Sequence, residues 1–119
     1  MGYPEWSAAQ LGGTFVTYSI THTSGAMEHA PGRDSIAALL DELDETDIEH
    51  ADVSVSHESG WTLSVYPSGR LVWENIEEDD EPLHTFVHER AEVERLLFAV
   101  ADGHVEIVDA EAWEPGYGS

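Results

Sequence analysis

Two stretches of this chain alternate apolar with polar residues, and this alternation constrains its fold more than any other feature. The stretches cover residues 51–56 and 61–66, and a third run, rich in apolar residues, covers 71–76. A period of two residues is typical of a β-strand with one buried face. Gly60 separates the first two runs, and a Pro-Ser-Gly turn signal at 67–69 separates the last two. The sequence therefore predicts a three-stranded antiparallel meander.

Two amphipathic helices are predicted on either side of this meander. Asp34 or Ser35 can cap the first helix, because a short polar side chain there accepts a hydrogen bond from the first turn. Apolar residues then recur at spacings of three and four, which places them on one face: Ile36, Leu39, Leu40 and Leu43. The second helix covers about 89–101 and buries a similar stripe: Val93, Leu96, Leu97 and Val100.

Three further strands are predicted outside the meander. Residues 14–21 are rich in β-branched and aromatic side chains, residues 83–88 alternate, and residues 105–108 form a short run with three apolar residues. Residues 22–33 contain Gly and Pro and are predicted to form a loop. Strands and helices in this order favour an α+β fold, an antiparallel sheet of about four to five strands with two helices packed on one face.

The length of 119 residues is that of one domain. We expect a single domain over residues 1–119, with frayed ends at 1–12 and 110–119. No apolar run approaches the ~18 residues of a membrane helix, and residues 1–10 lack the basic and apolar regions of a signal peptide. The sequence therefore predicts a cytoplasmic protein.

Charge restricts the partners that this chain can bind. Its 25 acidic residues face only four arginines and no lysine, so that the formal net charge is −21. A magnitude of about 2–8 already keeps a small domain soluble, and a larger excess costs stability through self-repulsion. Nucleic acid and anionic membranes would be repelled. The charge favours a strongly basic protein partner, a salt-rich cytosol, or both.

The acidic residues cluster at two places in the sequence. One cluster, Glu77–Glu81, follows Trp73 and Glu74, and a large aromatic beside charges is the composition of an interface centre with a charged rim. A solvated turn and a buried Trp73 are the alternative interpretations. The second cluster ends the first helix, where the helix dipole disfavours negative charge. The predicted binding residues are Trp73, Glu74, Glu77, Glu78, Asp79, Asp80 and Glu81, then Asp41, Glu42, Asp44 and Glu45.

Neither an enzyme nor a metal site is predicted. The chain has no cysteine, and its seven histidines show no recognised metal-ligand spacing. Carboxylates act as a catalytic pair where their surroundings push their pKa values apart, which a solvated acidic surface does not do. We therefore expect no catalytic residue, no metal and no cofactor.

The region from Trp61 to Gly103 resembles a known family. The hairpin of residues 61–65 and 71–75 around the Pro-Ser-Gly turn, followed by the helix at 90–97, is similar to the first immunity-protein family of bacterial polymorphic toxin systems. This resemblance covers roughly the C-terminal two-thirds of the chain. It implies an α+β fold and a protein that neutralises a toxin domain, often a nucleic-acid deaminase. It also implies that Trp73 and its neighbours Glu74 and Asn75 occupy the tryptophan-containing hairpin of that family.

The charge and the resemblance lead to one functional expectation. We expect an immunity protein that binds a cognate toxin, a nucleic-acid deaminase or a nuclease, and occludes its basic active-site cleft. Two alternatives stay open. The first is an acidic DNA mimic that sequesters a nucleic-acid-binding protein. The second is a halophilic domain whose acidity reflects only its solvent.

Overall fold

The structure, a computed structural model, describes residues 18–44, 52–78 and 81–118. In these ranges the chain forms an α+β fold with an open antiparallel sheet of seven strands and with three helices. The strands are β1 Tyr18–Thr21, β2 Met27–His29, β3 Val53–His57, β4 Trp61–Val65, β5 Arg70–Asn75, β6 Leu83–Phe86 and β7 Glu114–Pro115. The helices are α1 Arg33–Asp44, α2 Arg90–Ala101 and α3 Val105–Asp109. The order across the sheet is β2-β1-β3-β4-β5-β6-β7.

The predicted meander is confirmed as strands β3, β4 and β5 at the centre of the sheet. Val55 pairs with Leu63, and Leu63 pairs with Trp73, so that apolar residues of the three strands share one face. Gly60 and Gly69 lie in the two connecting turns, with φ of +98° and +92°. Glycine reaches such angles without steric cost, which is why both turns can be tight.

Both predicted helices pack against this apolar face. α1 and α2 contact each other, and each contacts β3. Their predicted stripes are buried, with Leu43 half-buried at the end of α1. Burying one such aliphatic side chain stabilises a fold by about 1.5–3 kcal/mol, so this layer supplies most of the driving force. No helix within the described residues is long and apolar enough to cross a membrane.

The sheet has seven strands, more than the four to five predicted. The two strands that were not predicted, β2 and β7, form its edges and are very short. β2 has three residues, all exposed, within the segment predicted to be a loop. β7 has two exposed residues and pairs with β6 inside the segment predicted to fray. Neither strand has a buried face, and without one the sequence shows no alternation that would reveal it.

The prediction of a strand at 105–108 is wrong, since these residues begin helix α3. Gly103 has φ of +81° and follows the end of α2, and the His104 N–H donates to the Ala99 carbonyl oxygen. This closes α2 and lets a new helical turn begin at once, with Val108 buried. A run of four residues, three of them apolar, is too short for its period to distinguish helix from strand.

The strands run between two ends of the sheet, which we name after the two ends of β5. The Asn75 end holds Tyr18, His57 and Trp61, and the Arg70 end holds Thr21 and Val65. β4 has five residues, and a strand rises about 3.3 Å per residue, so the two ends lie about 15 Å apart. The first strand predicted at 14–21 is described only from Tyr18 onward, as β1.

Candidate functional site

Trp73 lies in the core, which is the alternative interpretation from its sequence. Its side chain is 0% exposed. The ring stacks on Trp61 at a centroid distance of 4.7 Å and on Trp113 at 6.4 Å. Its Nε1–H donates to Asp109 Oδ1 over 2.8 Å, which satisfies the one polar group of the ring. The side chain of Trp73 therefore supports the Asn75 end from beneath and presents no surface to a partner.

Glu74 lies on the opposite face of β5 and holds the C-terminal segment. The Tyr117 hydroxyl donates to Glu74 Oε1 over 3.0 Å, and Arg70 Nη1 donates to the Tyr117 carbonyl oxygen over 2.6 Å. The hydrogen bond to Glu74 raises the pKa of Tyr117. Glu74 therefore has a structural partner within the chain.

Three members of the predicted acidic run are exposed at the Asn75 end. Glu77 and Glu78 form the turn after β5, and Glu81 precedes β6. Asp79 and Asp80 lie outside the described residues. The turn between β3 and β4 adds the exposed Glu58 beside them, a residue that its position in the sequence did not single out. We call these four described carboxylates the acidic rim: Glu58, Glu77, Glu78 and Glu81.

Asn75 joins the two turns that carry the acidic rim. It is 4% exposed, its Oδ1 accepts from the Glu77 backbone N–H over 2.9 Å, and its Nδ2 donates to the Ser59 carbonyl oxygen over 3.4 Å. The Ile76 N–H donates to the Gly60 carbonyl oxygen. A Cβ at Gly60 would lie 2.4 Å from Glu77 Cγ. Only glycine therefore lets the Glu77 side chain lie across the neighbouring turn.

A cleft of 250 Å³ opens beside the rim at the Asn75 end. The sheet contributes three polar side chains to its lining: Ser19, His29 and Ser56. The two turns contribute Glu58, Ile76 and Glu77. Ile76 is 63% exposed and is one of five large hydrophobic side chains that are exposed in the described residues. An apolar residue directly before an acidic run was the signal in the sequence that could have identified Ile76.

The second predicted cluster lies at the other end of the sheet, and its described side chains are occupied. Asp41 Oδ1 lies 2.8 Å from Arg90 Nη1. Glu42 Oε2 lies 2.5 Å from His22 Nδ1, and Glu42 Oε1 accepts from the Thr23 N–H over 3.1 Å. Asp44 is the last residue of α1, and Glu45 lies outside the described residues. The fold therefore separates the two acidic clusters that the sequence analysis considered together.

Each of the four arginines makes contacts within the described part of the chain. Arg33 pairs with Asp102, Arg90 with Asp41 and Glu94, and Arg95 with Glu92 and Glu111. Arg70 lies over the Tyr66 ring and bonds the Tyr117 carbonyl. No ion pair within the described residues involves a rim carboxylate.

The described part of the chain holds no group of three or more histidine, aspartate or glutamate side chains that could bind a metal ion. At the Asn75 end, two of the rim carboxylates, Glu58 and Glu77, line the cleft together with the exposed Ile76.

Comparison of this chain with protein-family models, with curated proteins and with solved structures finds no match.

Proposed function

We propose that this protein is a cytoplasmic immunity protein that binds a basic toxin domain of a polymorphic toxin system and covers its active-site cleft. The observation that carries the proposal is the acidic rim, whose four carboxylates are exposed and form no ion pair with another described residue. The resemblance of the central hairpin supplies the class of partner. A nucleic-acid deaminase fits best, because its cleft must attract phosphates and carries cations for that purpose.

The geometry of the Asn75 end supports a protein partner. Complementary charge steers association, which reaches about 10⁸–10⁹ M⁻¹s⁻¹ at low salt. Ile76 offers an exposed apolar contact in the same cleft as Glu58 and Glu77, and interfaces commonly combine an apolar centre with a polar rim. The cleft beside it has room for one side chain of the partner. These features together form a docking surface that needs no catalytic residue, metal or cofactor.

The direct test is a titration with the toxin domain encoded by the adjacent gene. Binding and toxin activity are measured at ~0.1 M and ~0.5 M salt, because screening weakens exposed charge pairs over this range. We expect tight binding with loss of toxin activity, and slower association at the higher salt. Absence of binding at both salt concentrations would contradict the proposed function for that pair.

A matched pair of variants tests whether the acidic rim is the docking surface. Glu78→Lys changes the rim, and Glu89→Lys makes the same charge change at an exposed residue near the Arg70 end. We expect Glu78→Lys to slow association severalfold more than Glu89→Lys at ~0.1 M salt, since rim charges act mainly on the association rate. Equal effects of the two variants would show a diffuse field and place the contact elsewhere.

The two alternatives predict other outcomes of the same experiments. A DNA mimic binds several unrelated basic proteins with similar affinity, whereas an immunity protein is selective for its toxin. A halophilic domain gains stability well beyond ~1 M KCl, where the Debye length is already about 3 Å and screening is complete.

A further inference from the structure

His22 lies between two carboxylates at the Arg70 end of the sheet. It directly follows β1 in the turn toward β2. Its Nδ1 is 2.5 Å from Glu42 Oε2 on α1, and its Nε2 is 2.5 Å from Glu28 Oε2 on β2. The ring therefore joins a carboxylate of the β1–β2 hairpin to a carboxylate of helix α1.

The protonation state of the His22 ring follows from this geometry. A neutral imidazole carries one N–H and one lone pair, so one of the two carboxylates would face a lone pair and be repelled. Only the imidazolium donates from both nitrogens. Thr23 shares this carboxylate with the ring, because Glu42 Oε1 accepts from the Thr23 N–H over 3.1 Å and from the Thr23 hydroxyl over 3.3 Å.

We propose that His22, Glu28 and Glu42 form a clamp, that His22 is its protonated centre, and that loss of this proton weakens the attachment of the β1–β2 turn to α1. The change is local, because β1 stays in the sheet through its pairing with β3 from Tyr18 to Thr21. The turn itself is closed by the His22 N–H, which donates to the Ala26 carbonyl oxygen. The turn therefore keeps its own hydrogen bond while its contact with Glu42 loosens.

The charges around the ring also favour its protonated form. Hydrogen bonds to Glu42 and then to Glu28 raise the pKa of His22 and outweigh its partial burial. Burial raises the pKa of Glu42, but the hydrogen bonds from His22 and Thr23 outweigh it, and its pKa is lowered. The charged groups facing His22 are Glu28 from β2 and Glu42 from α1. The clamp is therefore closed between the lowered pKa of Glu42 and the raised pKa of His22.

The first measurement is the titration of His22 by NMR in the folded chain and in the urea-unfolded chain. We expect the folded ring to titrate at higher pH than the unfolded one, with both nitrogens protonated below that point. The His29→Gln variant is the control, since His29 lies one residue from Glu28 but contacts neither carboxylate of the clamp. A folded titration at or below the unfolded one would overturn the proposal.

The second measurement is hydrogen exchange at two neighbouring amides. The Thr23 N–H reports contact with Glu42, and the His22 N–H reports the turn alone. After correction for intrinsic rates, we expect Thr23 in His22→Gln to exchange about tenfold faster at pH ~6, the effect of losing a hydrogen bond to a charged group. The His22 position should change little. Glu28→Gln, at an exposed residue, should show the same pattern more weakly. Unchanged exchange of Thr23 in both variants would refute the clamp.

Discussion

The two ends of the sheet both collect carboxylates, but they use them differently. At the Arg70 end, Glu42 is bound by His22 and Thr23, and Asp41 is bound by Arg90. At the Asn75 end, the rim carboxylates Glu58, Glu77, Glu78 and Glu81 are exposed, and no ion pair of the described residues includes them. Carboxylates of the first kind hold the fold together, and those of the second kind remain available to a partner.

The difference arises from what each acidic segment packs against. α1 contacts α2 and lies beside the β1–β2 turn, so its acids meet a cation from each neighbour. The rim consists of two turns that lie against each other, and both turns carry acids. Acidic side chains there repel one another, a cost that a folded chain carries more easily when a cationic partner covers it.

The largest expected effect is a loss of stability at Trp73, which lies beneath the Asn75 end. Trp73→Ala removes the middle ring of a three-tryptophan stack, and we expect it to lower the free energy of unfolding by about 3–5 kcal/mol. Trp73→Phe keeps a ring but loses the bond to Asp109, and should cost less. Urea unfolding measures both. A small effect of Trp73→Ala would return Trp73 to the list of candidate contact residues.

A pair of glycine variants compares the two ends directly. Gly60, at the Asn75 end, and Gly25, in the turn at the Arg70 end, have φ of +98° and +91°. Alanine is strained at both, at a cost of about 1–3 kcal/mol. A Cβ at Gly60 also meets Glu77 and Asn75, whereas nothing lies within 4 Å of one at Gly25. We expect Gly60→Ala to destabilise more. Equal losses on thermal unfolding would show that Glu77 moves aside freely.

Two isosteric variants test which carboxylates are structural. Glu42→Gln removes a charge-assisted contact with His22, and we expect a loss of about 1 kcal/mol in the free energy of unfolding. Glu78→Gln removes an exposed charge that has no ion-pair partner among the described residues. We expect the free energy of unfolding to stay unchanged or to rise slightly because repulsion is reduced. If urea unfolding gave the same change for both, the distinction between the ends would fail.

The smallest expected effect is the pH dependence of the clamp. Because the pKa of His22 is raised by folding, its contribution is complete below the unfolded value of about 6.5 and is lost as the pH rises through the folded pKa. The difference in unfolding free energy between the wild type and His22→Gln should therefore shrink from pH ~6 to pH ~9. A difference that stayed constant would mean that His22 contributes by packing alone.

Much of the fold can be predicted from the sequence because its elements have clear periods. The central meander alternates, and Ile36 and Leu39 of α1 recur with helical spacing, so each element could be recognised locally. The edge strands β2 and β7 were missed because neither has a buried face. Residues 105–108 were assigned wrongly because four residues, three of them apolar, contain too little of either period.

The candidate site could be predicted only in part. Glu77, Glu78 and Glu81 are exposed as a charged run usually is. Glu58 and the cleft could not be found, because they depend on the turn between β3 and β4 lying against the turn after β5. Trp73 could not be placed, since a tryptophan beside acids looks the same in sequence whether its ring is buried or exposed.

The sequence by itself determined the central strands, the two main helices and the excess of negative charge, because periodicity and composition are properties of neighbouring residues. Only the tertiary structure decided which carboxylates have partners. His22 and Glu42 are separated by 20 residues, and Arg33 and Asp102 by 69. The distances between such residues depend on strand pairing and helix packing, and those distances determine whether a carboxylate stabilises the fold or is available to a partner.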